Sequence, residues 1–407
     1  MTGSTGIAAP LSIEHRDAGS RARAGRLRLA HGEVRTPAFV PLATKGAVKT
    51  LEPAEVAALG YDMVLGNAFH LLLEPGPELV ARHGGLHQFM HWPGPIITDS
   101  GGFQVFSMGH GTVADEIKGR APRREGDPEG AILAIDEDGV RFRSYTDGGE
   151  RFMGPETSME VQAALGSDIA LAFDECTPFH VPREYTERST ERTHRWLVRC
   201  LDWHRDHGPS GRLLYGIVQG GVYEDLRRAS AREVAASGAD GIAIGGSLGQ
   251  DKAQMHEVVG WATEELPEDR PRHLLGIGEV DDLIRGVELG IDTFDCAMPT
   301  RIARHGMVLV PDPEGRWRTD LAKSRVRDDD GPMMDGCPCP ACAAGYSRAY
   351  VHHLLRAREL TALRLITLHN LAFIERVMAD LRAAIAAGTL AETAAALRAG
   401  AAPGAAA

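Results

Sequence analysis

Three cysteines, Cys337, Cys339 and Cys342, fall within six residues of a 407-residue chain. A disulfide closing so small a loop has poor geometry, whereas three thiolates on one tight turn suit a metal ion. Tetrahedral zinc needs a fourth ligand, and the segment downstream offers His352, His353 and His369. A thiolate-rich, closed set reads as a structural site rather than a catalytic one. An iron–sulfur cluster would want a fourth cysteine, and none stands nearby.

Carboxylates supply the second set of reactive groups. Thr98-Asp99-Ser100-Gly101-Gly102-Phe103-Gln104 follows an apolar run, and its two glycines let backbone approach a ligand closely. Phe103 can stack on a planar base or simply pack in the core. Asp174 follows Ala170–Phe173, and a carboxylate there can accept two parallel hydrogen bonds from an amide-and-amine edge such as that of guanine. Gln219, between Val218 and Gly220-Gly221, can donate to a carbonyl oxygen, as can the Gly246 amide. Asp295, in Phe294-Asp295-Cys296, is placed to attack an anomeric carbon as a base departs, with a second carboxylate handling the proton.

To converge, these residues need a scaffold that gathers strand ends. Apolar runs fall at 38–43, 62–67, 96–99, 168–174, 213–219, 241–246, 273–278 and 292–296. Helical spacing lies between them at 53–59, 158–165, 187–206, 223–236 and 279–289. Eight strands alternating with helices predict a parallel (β/α)8 TIM barrel, with a doubly wound open sheet as the rival. Asn67, Asp99, Asp174, Gln219, Gly246 and Asp295 all stand where a strand run ends. In a barrel those positions meet at the C-terminal mouth, where such enzymes place their chemistry.

Bulk properties bound the rest. An apolar fraction of 43% supports a large core. A formal net charge of −12 excludes whole-surface attraction to nucleic acid, so a nucleic-acid site must be a local basic patch. One such patch exists: seven Lys and Arg residues against three acids between 301 and 327, beginning at Arg301 and Arg304. The segment 119–139 reads as an exposed loop or hairpin insertion, and the alanine-rich tail at 388–407 as frayed or disordered. No signal pattern or membrane-length apolar run is present, which predicts a cytoplasmic protein with no membrane partner.

Together these motifs resemble the tRNA-guanine transglycosylase family, especially its bacterial queuosine branch. The landmarks are Leu65-Gly66-Asn67, Thr98–Gln104, Phe173–Pro178, Gln219–Leu226, Phe294–Arg301, Ser347–His353 and His369-Asn370-Leu371. The resemblance spans about His31 to about Arg382. It implies a catalytic barrel over 1–300 and an inserted or C-terminal zinc-binding subdomain with closing helices over 301–385, usually as a homodimer. By match of motif, Asp295 is the nucleophile and Asp99 the general base. Asp174, Gln219 and Gly246 recognise the purine edge, with Ser100 and Asn67 nearby and Phe103 stacking. Arg301 and Arg304 match positions that hold the anticodon loop. Cys337, Cys339, Cys342 and His369 match the zinc ligands, with His369 placed ahead of a helix beginning around Asn370. The implied reaction exchanges the wobble guanine of tRNA for a 7-deazaguanine, either 7-aminomethyl-7-deazaguanine or queuine, through a covalent aspartyl-ribosyl intermediate.

The chain departs from the family pattern at Gly245–Gln250, where the loop meeting the 7-substituent is one residue shorter and carries glutamine in place of glutamate. Leu275 stands where many relatives have methionine. The alternatives are a deazapurine transglycosylase acting on DNA and a noncatalytic RNA-binding subunit; the latter is disfavoured by the retained Asp99 and Asp295. A metal-dependent barrel hydrolase would want histidines at the strand ends in place of these carboxylates and amides.

Overall fold

The computed structural model describes residues 9–109 and 132–404. Eight parallel strands form one sheet: β1 (Ala38–Val40), β2 (Val64–Asn67), β3 (Ile96–Asp99), β4 (Ile169–Leu171), β5 (Leu213–Val218), β6 (Gly241–Ile244), β7 (Arg272–Leu274) and β8 (Thr293–Asp295). Their order is β1-β8-β7-β6-β5-β4-β3-β2. The circle closes just past β1, where Leu65 N donates to Pro41 O at 3.0 Å and Ala43 N to Leu65 O at 2.7 Å. The sheet is therefore a barrel and not the open doubly wound alternative. Except for β3, which matches its run, the strands are shorter than their apolar runs, in most cases because the chain leaves the hydrogen-bonded ladder at the C-terminal mouth.

Two apolar layers account for this closure. Val40, Met63, Leu65, Ile97, Ile169, Leu171, Tyr215, Ile217 and Ala243 fill the barrel interior. Leu11, Leu27 and Val34 join that same cluster. They come from a three-stranded antiparallel sheet (Leu11–Arg16, Arg23–Leu29, Gly32–Thr36), which plugs the N-terminal end of the barrel. The second layer lies between the strands and the surrounding helices, with Trp196, Phe173, Phe294 and Phe373 among its largest members. The plug is pinned by Arg23, whose guanidinium meets the buried Asp292 carboxylate at 2.8 and 2.6 Å. Arg23 also donates to the carbonyls of Glu268 and Arg270.

Two segments, the alanine-rich tail and the stretch through His369, differ from the sequence reading, and the insertion is described only in part. Residues 119–131 of the expected insertion lie outside the described residues; the remainder forms Ile132–Ile135 and a turn, within an antiparallel sheet with Val140–Arg143 and Glu150–Met153. The expected frayed tail instead contains a helix, Leu390–Arg398, with Leu390, Ala394 and Leu397 buried. Alanine favours helix, and three apolar residues on one face give it a surface to dock. His369 does not precede a helix: it sits inside Leu360–Ala387, which runs without a breaker until Gly388 in the left-handed conformation. That helix packs along the side of the barrel by its first strand. Tyr61 Oη donates to Leu371 O at 2.8 Å, and Arg382 Nη1 to Pro37 O at 2.9 Å.

Removing one partner of a buried, bidentate ion pair leaves an uncompensated charge. Arg23→Ala is expected to lower the unfolding free energy by about 3–5 kcal/mol, read from urea denaturation. An unchanged denaturation midpoint would show that the plug is held without this pair.

Candidate active site

At the barrel mouth, Asn67 ends β2 and caps the following helix, Ala68–Leu73, by accepting from His70 N at 2.8 Å. Capping occupies its carbonyl oxygen, so its amide nitrogen faces outward and donates to Asp99 Oδ2. Ala68 N donates to Asp99 Oδ1 at 2.8 Å. A turn-forming residue and a site residue are thus the same Asn67. Asp99 ends β3, and its carboxyl pKa is pushed up to about 8, first by burial and then by the nearby Asp295 and Asp174 charges, against the lowering effect of the Ala68 N–H.

Asp174 lies three residues beyond β4. It accepts from Ser100 Oγ at 3.1 Å and from Gln219 Nε2 at 2.6 Å. Burial raises its pKa to about 6 despite these donors. Gly102 is required here: a Cβ on it would stand 2.5 Å from Asp174 O and 2.6 Å from Asp174 Oδ1. Gln219 spends one N–H on Asp174 and keeps a second for another acceptor, while its buried Oε1 has no hydrogen-bond partner. Gly246 has φ +77°, and a Cβ there would fall 2.1 Å from Gln219 Oε1. Phe103, in the first turn of Gly102–Gly109, is 41% exposed, so core packing does not explain it and its ring is open to a ligand.

Asp295 ends β8 and is buried. His273 Nε2 lies 3.1 Å from Asp295 Oδ1, and Gly276 N donates to that oxygen at 3.1 Å. With Nε2 donating to this carboxylate oxygen, His273 Nδ1 accepts from Thr293 Oγ1 at 2.9 Å. Both donors fall on Oδ1, and among the described residues none donates to Oδ2.

Several supporting residues escaped the sequence reading. His273 lies within a short apolar strand and carries no motif of its own. Arg227 is fully buried on helix Glu224–Ala236 and donates to Gly221 O at 2.7 Å, Val218 O at 3.0 Å, Gly245 O at 2.8 Å and Ser247 O at 2.8 Å. One guanidinium therefore fixes the loops that carry Gln219 and Gly246. Glu175 is buried beside Asp174 and is held by Tyr185 Oη at 2.6 Å and Arg192 Nη1 at 2.7 Å. Of these residues only Glu175 carried a sequence signal, its place beside Asp174.

Arg301 and Arg304 lie on and just after helix Met298–Ala303, which follows Asp295. Burial and then the Arg301 charge lower the pKa of Arg304. The basic segment is less free than its composition predicts, since Arg316 and Arg318 both reach Glu279, at 3.2 and 2.9 Å. Farther along, Cys337, Cys339, Cys342 and His369 are all buried and close enough together to hold a metal ion. The three sulfurs lie 3.6, 3.6 and 3.4 Å from His369 Nδ1. His369 Nε2 donates to Leu309 O at 2.8 Å, which turns Nδ1 toward the thiols. His352 is not in this cluster: its Nδ1 meets Leu321 O at 2.8 Å.

The model of the queuine tRNA-ribosyltransferase family matches residues 17–402. A queuine tRNA-ribosyltransferase of Roseiflexus sp. (strain RS-1) is 51% identical over 388 residues, covering 93% of this chain and 96% of the relative. That of Symbiobacterium thermophilum is 47% identical, covering 93% of this chain and 88% of the relative. That of Pelotomaculum thermopropionicum is 46% identical, with 94% and 96% covered.

The raised pKa of Asp99 has a consequence for stability. A carboxyl whose folded-state pKa lies above its unfolded value favours the folded state most below the unfolded value, about 4. That contribution is lost as pH rises through about 8. The protein is expected to lose stability between pH 5 and pH 8 by urea denaturation, and Asp99→Asn to flatten the loss. An equal slope in the variant would contradict the assignment of this proton to Asp99.

Proposed function

The chain belongs to the queuine tRNA-ribosyltransferase family, and from that premise we propose a tRNA-guanine transglycosylase that exchanges the wobble guanine of tRNA for a 7-deazaguanine. The observation that carries the mechanism is the one-sided bonding of Asp295, with two donors on Oδ1 and, among the described residues, none on Oδ2. His273 and Gly276 hold the carboxylate in place through Oδ1, and Oδ2 is the attacking atom.

In the first displacement, Asp295 Oδ2 bonds to C1′ of the ribose as the C1′–N9 bond breaks. Asp99, its pKa raised to about 8, begins protonated at neutral pH and delivers that proton to the departing guanine. In the second, the ionised Asp99 takes the proton from the incoming base, whose nitrogen attacks C1′ and releases Asp295. Two inversions give net retention, with one carboxyl acting as acid and then as base. Asp174 takes the amide and amine hydrogens of the purine, and Ser100 keeps its carboxylate in place. The spare N–H of Gln219 and the Gly246 amide suit the purine carbonyl oxygen, and Phe103 stacks on the ring. Asn67 orients Asp99. The base is 7-aminomethyl-7-deazaguanine or queuine, and Arg301 and Arg304 bind anticodon-loop phosphates.

The Cys337–Cys339–Cys342–His369 set fits zinc. Ligands at zinc–sulfur and zinc–nitrogen lengths of about 2.3 and 2.0–2.1 Å on a tetrahedron stand about 3.5 Å apart, close to the separations found here. The ion would be structural. It would fix the segment 301–385 as a zinc-binding subdomain against the 1–300 barrel. A homodimer and a cytoplasmic location complete the reading; no described helix is long and apolar enough to cross a membrane.

Incorporation of labelled guanine into tRNA carrying wobble guanine is the direct test. Wild type is expected to incorporate label and to form a covalent tRNA adduct. Asp295→Ala should lose both while keeping its zinc, and exchange by that variant would remove Asp295 from the role of nucleophile. Cys339→Ala should lose zinc and melt earlier, and wild-type protein purified without zinc would refute the structural metal. Labelling of DNA rather than tRNA would support the DNA-modifying alternative.

A further inference from the structure

At the opposite end of the barrel, three ligating side chains from three separate elements meet. His31 lies in the turn between strands Arg23–Leu29 and Gly32–Thr36, and His87 in helix Gly85–Met90. Asp168 immediately precedes β4, and its backbone N bonds to Ile96 O at the start of β3 at 2.8 Å. Asp99 occupies the far end of that same strand, so this cluster is separate from the mouth chemistry.

His31 Nδ1 lies 2.8 Å from Asp168 Oδ1, and His87 Nε2 lies 3.0 Å from Asp168 Oδ2. One ligating atom from each of the three residues falls within 4.8 Å of the others. The imidazole rings stack at 3.6 Å with 21° between their planes, which brings both nitrogens to the same carboxylate. We propose that His31, His87 and Asp168 form a second metal site, selective for a divalent transition ion such as zinc.

Three features support it. The three ligand atoms lie within 4.8 Å of one another, so small ring rotations would put each about 2.0–2.2 Å from one shared ion. The carboxylate is oriented from behind by two backbone donors, Ile96 N on Oδ2 at 2.8 Å and His31 N on Oδ1 at 3.0 Å. Such outer partners fix a ligating carboxylate and leave its remaining lone pairs for the ion. Asp168 is fully buried while the His31 side chain is 48% exposed, so the set has an anchored floor and an open side where water completes the coordination. Imidazole with carboxylate suits zinc, cobalt or nickel better than calcium or magnesium. The bound ion would tie the N-terminal plug and helix Gly85–Met90 to the start of β4.

The tag-free full chain, dialysed against micromolar zinc, distinguishes this site from an ordinary pair of imidazole N–H donors on a carboxylate. Wild type is expected to take up one more equivalent of zinc than His31→Asn or His87→Gln. The comparison does not depend on whether the cysteine cluster is filled. Equal uptake by all three proteins overturns the proposal. In case a variant does not fold, cobalt added to wild type should selectively broaden the ring-proton resonances of His31 and His87. Uniform or absent broadening of those signals also overturns it.

Discussion

Three carboxylates, Asp99, Asp174 and Asp295, crowd the mouth of one barrel, Asp174 and Asp295 buried and Asp99 half-buried, and their mutual repulsion constrains the surrounding structure. Each has its own donors: Asn67 and Ala68 for Asp99, Ser100 and Gln219 for Asp174, His273 and Gly276 for Asp295. The donors do not offset burial equally. Asp99 is pushed up to about 8 and Asp174 to about 6, so the groups are driven apart in protonation. That separation lets one carboxyl carry a proton while another stays ionised, the division that a two-step displacement needs.

Loops at a barrel mouth carry the chemistry only if something rigid holds them. Here the work falls to buried charge. Arg227 bonds four carbonyls across the ends of β5 and β6 and the loops after them, and no carboxylate among the described residues pairs with it, so its charge is spread over backbone dipoles. Burial lowers its pKa to about 9. Arg192 bridges Glu175 and Glu137, coupling the loop after β4 to the turn of the antiparallel sheet beyond it. The C-terminal helix adds a further brace. Asn370 receives Leu309 N and donates to Pro299 and Met307 carbonyls, one residue from His369 in the metal-binding cluster.

The eight strands were legible because each apolar run is short, β-rich and bounded by polar or glycine residues. Strand ends were not, since a run such as His273–Gly278 stays apolar after it leaves the ladder at Leu274. The alanine-rich tail was misread for the opposite reason: its composition resembles low complexity, while Leu390, Ala394 and Leu397 share a face that only a neighbouring helix makes useful. The unbroken helix through His369 was likewise masked by the polar His-Asn pair at its centre, where both side chains serve buried contacts.

What the sequence determined by itself was chemistry local in the chain: three thiols on one turn, glycines beside Asp99 and Gln219, and carboxylates at the ends of apolar runs. Residue type and short spacing set those features, so no knowledge of distant packing was needed. Tertiary structure alone decided which atom of each residue is free. Oδ1 of Asp295 is occupied because His273 arrives from a neighbouring strand, and Asn67 faces Asp99 because its oxygen is spent on a cap. It also decided what is held together across long separations, as Arg23 holds Asp292 and Asp168 gathers His31 and His87. Such pairings depend on barrel closure, which brings together residues that no sequence period relates.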